Sequence, residues 1–187
     1  RGNSPITRAR KVASIKAFFA YLKKDGKIRH NIANELETPK LEKSLPIYLS
    51  VDEAKRLLKG NQEFQFYYRN QCILVFLLHL GLRVSELVSL NMDSFEGDVL
   101  RVKGKGNKER EIFLNQECLN ALNNYIEMER KKLIDKAEDE AKMALFLSRE
   151  KKRLSVRMVQ RIVKNVAKLN GIDSKKITPH KLRHTFA

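Results

Sequence analysis

The chain has 187 residues, of which 38 are Lys or Arg and 22 are Asp or Glu, so its formal net charge is +16. This length suffices for one ordinary core and part of a second unit. The positive charge favours polyanions, with nucleic acid first and an anionic membrane surface second. Because Trp is absent and Tyr and Phe are few, the composition argues against binding through stacked bases. The charges are spread through periodic segments, which argues against a disordered basic arm.

The amino-terminal residues predict two helices. Ser4 and Pro5 begin the first, and Asp25 with Gly26 ends it. A short helix over 31–36 follows. The apolar positions of the first helix recur with helical spacing: Ile6, Ala9, Ala13, Ala17, Phe18, Phe19, Ala20, Tyr21 and Leu22. Two such helices cannot build a complete core, so we interpret residues 1–38 as the tail of a small helical domain whose beginning is missing.

A linker is predicted over 39–49, where two prolines enclose charged residues. Ser50 then caps a helix, with Glu53 at the capping-box position. The apolar stretch 67–80 predicts a buried helix that stops at Gly81.

The middle of the chain predicts a short helix over 84–90 and then a change of period. Residues 98–102 alternate between apolar and polar, 104–107 supply turn chemistry, and alternation returns over 111–114. This pattern predicts a β-hairpin with a basic tip. A long polar helix is expected from 116 to about 142.

The last third predicts a short strand over 145–147 and two further helices. Ser155 caps the first, which ends at Gly171, whereas Thr178 and Pro179 begin the second. The elements together predict an α+β fold that is mainly helical, with a small antiparallel hairpin or sheet.

Cys72 and Cys118 are the only cysteines, and neither has the spacing of a metal ligand. We expect both to be buried free thiols in a reducing cytosol. The apolar run over 72–78 is too short to span a bilayer, and the amino end shows no signal peptide. These features predict a soluble, cytoplasmic protein.

His180 and Arg183 stand three residues apart on the last predicted helix, so both project from one face. A guanidinium can fork onto two phosphate oxygens, and an imidazole can move a proton beside it. The pair therefore predicts half of a phosphoryl-transfer site, although a solvated helix face has the same pattern. Zinc binding by His180 and His184 is disfavoured, because Lys181 and Arg183 repel a cation and no acidic ligand accompanies them.

Arg83 immediately follows a predicted helix stop, and Glu86 three residues later is placed to hold its guanidinium by a paired hydrogen bond. Taken alone, this pattern fits a structural ion pair equally well. Lys105 lies between two glycines at the hairpin tip, where it can bring an ammonium to a phosphate or a leaving oxygen. It also fits an ordinary exposed turn, and the spacing of a phosphate-binding P-loop is missing.

The helix capped by Ser155 is amphipathic. One side is apolar, and the other carries residue types suited to base edges and phosphates: Arg157, Gln160, Arg161 and Lys164. A recognition helix and a solvated face both remain compatible with this pattern.

Three segments together resemble the tyrosine recombinases, and most closely the Xer-type and integrative-element integrases. They are Gly-Leu-Arg-Val-Ser-Glu-Leu at 81–87, Gly-Lys-Gly-Asn-Lys-Glu-Arg at 104–110, and Thr-Pro-His-Lys-Leu-Arg-His-Thr-Phe-Ala at 178–187. The resemblance identifies 50–187 as an incomplete catalytic domain and 1–38 as the end of a core-binding domain.

The resemblance implies site-specific DNA recombination without metal, ATP or any cofactor, through a 3′-phosphotyrosine and a Holliday junction. It implies that Arg83 and Arg183 clamp the scissile phosphate, with Glu86 supporting Arg83. Lys105 would protonate the leaving 5′ oxygen, and His180 would assist proton transfer at the nucleophile. The DNA contacts implied by similarity are Arg157, Gln160, Arg161, Lys164 and Lys108.

The family's nucleophilic tyrosine lies downstream of the His-x-x-Arg motif, whereas all five tyrosines here precede it. We therefore expect a recombinase fragment that binds a double-stranded recombination site without cleaving it. The full-length protein would form a homo- or hetero-tetramer on DNA in the cytoplasm, associated with a bacterial-type nucleoid. A non-catalytic DNA-binding regulator or decoy is the alternative, and a nuclease with His180 as its base is a weaker one.

Overall fold

A computed structural model of the chain describes residues 2–41, 49–60, 65–104, 106, 108–135, 139–174 and 177–186. The chain divides into two compact units, residues 1–46 and 47–187. Helices predominate and one small antiparallel sheet lies in the second unit, which confirms the predicted fold class. The assignment of 1–38, 39–49 and 50–187 to a core-binding remnant, a linker and a catalytic domain stays a prediction.

The first unit contains helix α1, Pro5–Lys24, and a 3₁₀ helix, Ile32–Glu35. The side chains of Ser4 and Asn31 cap them by accepting backbone N–H groups. Among the described residues of this unit, burial is confined to Ala9 and Ala33. Much of the predicted apolar stripe is exposed: Ile6, Phe18 and Tyr21.

Helix α2, Val51–Lys59, opens the described part of the second unit with the predicted capping box. Ser50 Oγ accepts from the Glu53 N–H at 3.1 Å, and Glu53 Oε2 accepts from the Ser50 N–H at 2.9 Å. Leu57 anchors the helix to the core, where its side chain is fully buried.

Helix α3, Tyr67–His79, is the centre of that core, and its residues from Cys72 to Leu78 are buried. The predicted thiols are confirmed as free and buried. At Gly81 the backbone has φ of +55°, a left-handed conformation that glycine adopts without strain. The chain thereby leaves α3 and enters helix α4, Val84–Ser89.

The sheet has three antiparallel strands in the order β1 (Phe95–Glu96), β2 (Val99–Lys103) and β3 (Glu109–Phe113). The predicted hairpin is confirmed as β2 and β3, with Val102 opposite Arg110. Strand β1 was not predicted, because two residues are too few to show an alternating pattern.

The predicted long helix from 116 to about 142 is confirmed as a helical run only as far as Ile134. Helix α5, Gln116–Tyr125, passes into a π-helical turn, Ile126–Arg130, and then into α6, Lys131–Ile134. The chain turns at Asp135, and α7, Asp139–Met143, is a separate helix.

Long-range polar contacts account for the π turn. The Glu129 carboxylate accepts the N–H groups of Tyr68 at 2.9 Å and Arg69 at 3.1 Å, which caps the first turn of α3. Arg130 points instead to backbone carbonyl oxygens, including that of Leu145 at 3.1 Å. Both contacts thus originate within the π turn, which is inserted as a single turn between two α-helical segments.

The predicted strand over 145–147 is also wrong, because this segment forms only isolated bridges at its ends, Asn91 with Ala144 and Leu147 with Arg153. Tyr125 adds side-chain hydrogen bonds to the backbone contacts that this segment makes with Leu90 and Leu154. Its hydroxyl donates to the Leu145 carbonyl and accepts from the Leu147 N–H, both at 3.1 Å.

Helices α8, Val156–Leu169, and α9, Pro179–Phe186, complete the second unit. Ser155 Oγ and Thr178 Oγ1 each accept a backbone N–H at 3.3 Å, so both predicted caps are confirmed. Helix α9 packs against α3 and α8. In the parts of the chain that the structure describes, no helix is long and apolar enough to cross a membrane.

Candidate active site

Arg83 is placed by the turn that follows Gly81. It is the residue immediately before α4, and its extended backbone presents its N–H to the Glu86 side chain. That N–H donates to Glu86 Oε2 at 2.8 Å, and Arg83 Nη1 donates to Glu86 Oε1 at 2.8 Å. The predicted contact is therefore present, but the guanidinium itself contributes one bond and not the expected pair.

The paired hydrogen bond on Glu86 comes from Arg110, a residue that the sequence analysis did not single out. Arg110 Nη1 donates to Oε1 at 3.0 Å, and Nη2 donates to Oε2 at 2.9 Å. One sequence signal was available. Arg110 shares the half-buried face of β3 with Ile112, and an inward-facing charge requires a partner.

Arg183 reaches the same carboxylate from α9. Its Nη1 lies 4.0 Å from Glu86 Oε2 and donates to the carbonyl oxygen of Gly81. The second contact ties α9 to the turn that precedes Arg83. The structure thus brings Arg83, Glu86 and Arg183 together, although 97 residues separate Glu86 from Arg183 along the chain.

Glu86 is 4% exposed, yet its carboxyl is strongly acidic. Burial alone would raise its pKa, but hydrogen bonds from Arg110 and Arg83 outweigh burial and lower the pKa to about 2. The carboxylate is therefore ionised at neutral pH. Three guanidinium groups around one carboxylate leave the cluster with a net charge of +2.

The cluster opens to solvent through a shallow cavity of about 270 Å³. It is lined by residues of α4 and of the hairpin: Arg83, Ser85, Glu86, Ser89, Lys103 and Gly104. The guanidinium-bearing side chains remain partly exposed, at 56% for Arg83, 38% for Arg110 and 32% for Arg183. An anion in the cavity would meet positive charge without a large desolvation cost to the protein.

The family to which the chain belongs follows from a match to a known protein family. Residues 48–187 match the model of the phage integrase family. The chain belongs to the phage integrase family. The resemblance to tyrosine recombinases noted in the sequence is thereby confirmed.

The chain is similar to tyrosine recombinase XerC of Caldanaerobacter subterraneus subsp. tengcongensis. The two are 45% identical over 188 residues, which cover 100% of this chain and 52% of the relative. The chain thus spans about half the length of this relative.

Solved structures of two recombinases share the fold. XerA recombinase has a TM-score of 0.65 at 30% identity, covering 98% of this chain and 60% of that one. The Tn1549 transposon integrase, in complex with circular intermediate DNA, has a TM-score of 0.72 at 25% identity, covering 99% and 66%.

The other two predicted catalytic residues are His180 and Lys105. His180 is exposed on α9, one helical turn before Arg183. Lys105 lies outside the described residues. The hairpin is closed next to it, where the Gly104 N–H donates to the Lys108 carbonyl at 2.8 Å, and the Lys108 side chain is exposed.

The predicted DNA-contacting residues of α8 lie apart from the guanidinium cluster on an exposed helix face: Arg157, Gln160, Arg161 and Lys164. The opposite face is buried through Val159, Ile162 and Val163. Arg161 also lines the larger cavity, of about 600 Å³, between α3 and α8. Of the predicted catalytic residues that the structure describes, none is among those that line this larger cavity, whereas Arg83 lines the smaller one.

The described residues do not form a metal-binding cluster. Among them, no group of three or more His, Cys, Asp or Glu side chains is arranged to hold a metal ion. The acidic side chain of the candidate site, Glu86, is already surrounded by arginines.

Proposed function

We propose that this chain forms the catalytic part of a site-specific DNA recombinase that cuts and rejoins strands through a 3′-phosphotyrosine. The observation that carries the proposal is the convergence of Arg83, Arg110 and Arg183 on one buried carboxylate, in a chain of the phage integrase family. Guanidinium groups match the geometry of paired phosphate oxygens.

Charge balance supports phosphoryl transfer at this cluster. A phosphodiester carries one negative charge, and attack by an oxyanion adds a second as the five-coordinate transition state forms. The net charge of +2 left by three arginines and Glu86 matches that dianion better than the ground state. Interactions that strengthen in the transition state are those that accelerate the reaction.

The proposed roles divide between charge stabilisation and proton transfer. Arg83 and Arg183 hold the two non-bridging oxygens, and Glu86 keeps Arg83 in place. Lys105 protonates the departing 5′ oxygen, while His180 assists proton transfer at the attacking tyrosine. The nucleophile is a tyrosine downstream of the His-x-x-Arg motif, so the proposal assigns that role to none of the five tyrosines of these residues.

Tyr125 illustrates why a tyrosine of the core is unsuited to attack. Burial is the main reason that its pKa is raised to about 12, and its hydroxyl already holds Leu145 and Leu147. A nucleophile needs an accessible oxygen that can lose its proton at neutral pH.

Double-stranded DNA is the proposed partner, and the exposed face of α8 is the proposed surface for the major groove. The net charge of +16 and the exposed side chains of Arg157 and Lys164 support this assignment. Among the structural neighbours, the Tn1549 integrase is in complex with DNA. We further propose assembly as a tetramer on the recombination site, with a location at the bacterial nucleoid.

The experiment uses the complete product of the gene that encodes these residues. Its recombination site is recovered by selection from a random duplex library and then supplied as a nicked suicide substrate. We expect a covalent protein–DNA adduct that survives denaturant, is removed by protease, and forms in EDTA without ATP. Specific binding without any adduct would replace the recombinase by a DNA-binding regulator, and hydrolysed ends without an adduct would indicate a nuclease.

A further inference from the structure

We propose that Arg110 is a positioning residue, which fills the carboxylate of Glu86 and so keeps the donors of Arg83 and Arg183 available to the substrate phosphate. This inference rests on the proposed function and adds a residue to it. Arg110 takes hold of Glu86 with a forked pair, whereas Arg83 gives it one guanidinium bond. The principal partner of Glu86 is therefore a residue of β3.

The number of acceptor positions on the Glu86 carboxylate explains how Arg110 affects Arg183. A carboxylate offers about four lone-pair positions, two on each oxygen. On Oε1, Arg83 Nη1 and Arg110 Nη1 occupy both, and on Oε2 the Arg83 N–H and Arg110 Nη2 occupy both. With every position taken, Glu86 has no site left for Arg183.

The position of Arg183 agrees with this count. Its Nη1 lies 4.0 Å from Glu86 Oε2, beyond hydrogen-bond distance, and donates to the Gly81 carbonyl instead. Charge attraction thus keeps Arg183 near the carboxylate, and the guanidinium N–H groups of Arg183 are not used in a forked pair with Glu86. Arg83 likewise stays 56% exposed and lines the cavity.

Arg110 also links the hairpin to α4. Gly104 closes the hairpin by donating to the Lys108 carbonyl, and its backbone lies directly against the ion pair. A Cβ at Gly104 would stand 3.6 Å from Arg110 Nη1 and 3.9 Å from Glu86 Oε1. The pair therefore fixes the base of the loop whose tip contains the candidate general acid, Lys105.

The decisive experiment compares Arg110→Ala with Arg101→Ala in the complete gene product. Arg101 lies on the neighbouring strand, carries the same charge, and pairs with Glu96 and Glu111 on the exposed face of the sheet. Crystal structures, suicide-substrate adduct rates under single-turnover conditions and dissociation constants for the same duplex are measured for each protein.

For Arg110→Ala we expect Arg183 Nη1 to move from 4.0 Å to within about 3.2 Å of Glu86, or Arg83 to form a forked pair with it. The adduct rate should fall about 10- to 100-fold, by analogy with the loss seen when the hydrogen-bond partner that orients a metal ligand is removed. The dissociation constant should change less than about threefold, and Arg101→Ala should leave all three measurements unchanged.

Unchanged contacts of Arg83 and Arg183 in the Arg110→Ala structure would overturn the inference, whatever the rates. Equal losses in rate and in DNA binding would also overturn it, since they would make Arg110 a binding residue. If Arg110→Ala does not fold, Arg110→Lys serves instead, because an ammonium lacks the planar fork that donates two parallel N–H groups to the two oxygens. An inactive wild-type protein would remove the recombinase proposal, while the crystal structures would still decide the arrangement of the arginines.

Discussion

Two groups of arginines in the second unit differ in how their donors are used. Arg69 and Arg130 are 5% and 7% exposed, and their guanidinium groups donate to backbone carbonyls such as those of Leu147 and Ala144. Arg83 and Arg183 are 56% and 32% exposed, and Arg83 lines the candidate cavity. Arginines whose donors are consumed inside the fold stabilise it, whereas those with donors left over can bind a ligand.

The electrostatic environment of the two buried arginines also differs from that of Arg110, which shares the Glu86 carboxylate with Arg83 and so belongs with the site group. Burial lowers the pKa of Arg69 and of Arg130, which shows that their charge is held at a cost to solvation. The pKa of Arg110 is raised, mainly by its hydrogen bonds to Glu86. The buried group thus depends on neutral carbonyls, while the site group depends on a single ionised carboxylate.

The largest expected effect tests the site group. Arg183→Ala removes one donor of the proposed phosphate clamp, so the rate of adduct formation should fall about 10²- to 10³-fold. Single-turnover cleavage of the suicide substrate measures this, and gel-shift titration measures binding, which should stay within a few-fold of wild type. Equal losses of cleavage and binding would show that Arg183 is only a binding residue.

Arg130→Ala tests the buried group. The substitution leaves the carbonyls of Lys142, Ala144 and Leu145 without their guanidinium donor, at 2.6 Å, 2.8 Å and 3.1 Å in the native protein. A buried group left unsatisfied costs about 1–3 kcal/mol, so the free energy of unfolding should fall by at least that amount. Urea denaturation measures it. If the folded fraction of Arg130→Ala also lost cleavage, Arg130 would not differ from the site arginines as proposed.

A pH series tests the carboxylate that the site group shares. Burial alone would raise the pKa of Glu86 above its reference value of 4.5, but hydrogen bonds from Arg110 and Arg83 to the ionised form lower it to about 2 in the folded protein. The stabilising effect of Glu86 is therefore complete above about pH 4.5 and is lost as the pH falls towards 2. Glu86→Gln should flatten that part of the urea midpoint–pH curve.

The matched control for the pH series is Glu111→Gln, which alters a carboxylate that pairs with Arg101 on the exposed face of the sheet. If the urea midpoint–pH curve of Glu111→Gln were as flat as that of Glu86→Gln, the buried carboxylate would contribute no more to the pH dependence of stability than an exposed one.

The smallest expected effect concerns the exposed face of α8, which lies outside both groups. If Lys164 contacts a phosphate, Lys164→Ala should reduce the slope of log binding constant against log salt concentration by about one. Fluorescence anisotropy over a salt series measures the slope. Lys132→Ala, an exposed lysine of α6, should leave it unchanged, and a change of the same size there would show non-specific attraction only.

Features determined by neighbouring residues were predictable from the sequence. The capping box of Ser50 and the cap of Thr178 depend on residues three positions away, so local spacing is sufficient to identify them. The convergence of Arg83 and Arg183 was predicted through the family resemblance, which carries three-dimensional information that spacing alone does not. Residue roles in catalysis stay predictions.

Features that depend on distant partners were missed. Arg110 meets Glu86 across 24 residues, and its place on the inner face of β3 shows only that some partner is needed. The π turn follows from contacts of Glu129 with the start of α3, 60 residues away. Neither hydrophobic periodicity nor helix propensity contains information on such pairings.

The sharing of Glu86 among α4, β3 and α9 has a consequence for newly made protein. During synthesis Arg83, Arg110 and Arg183 leave the ribosome in that order, so the anion site stays incomplete until α9 has docked on α3. A chain caught partway through folding has one or two of the three guanidinium groups beside the carboxylate. Only the finished tertiary structure therefore concentrates the full positive charge of all three around Glu86.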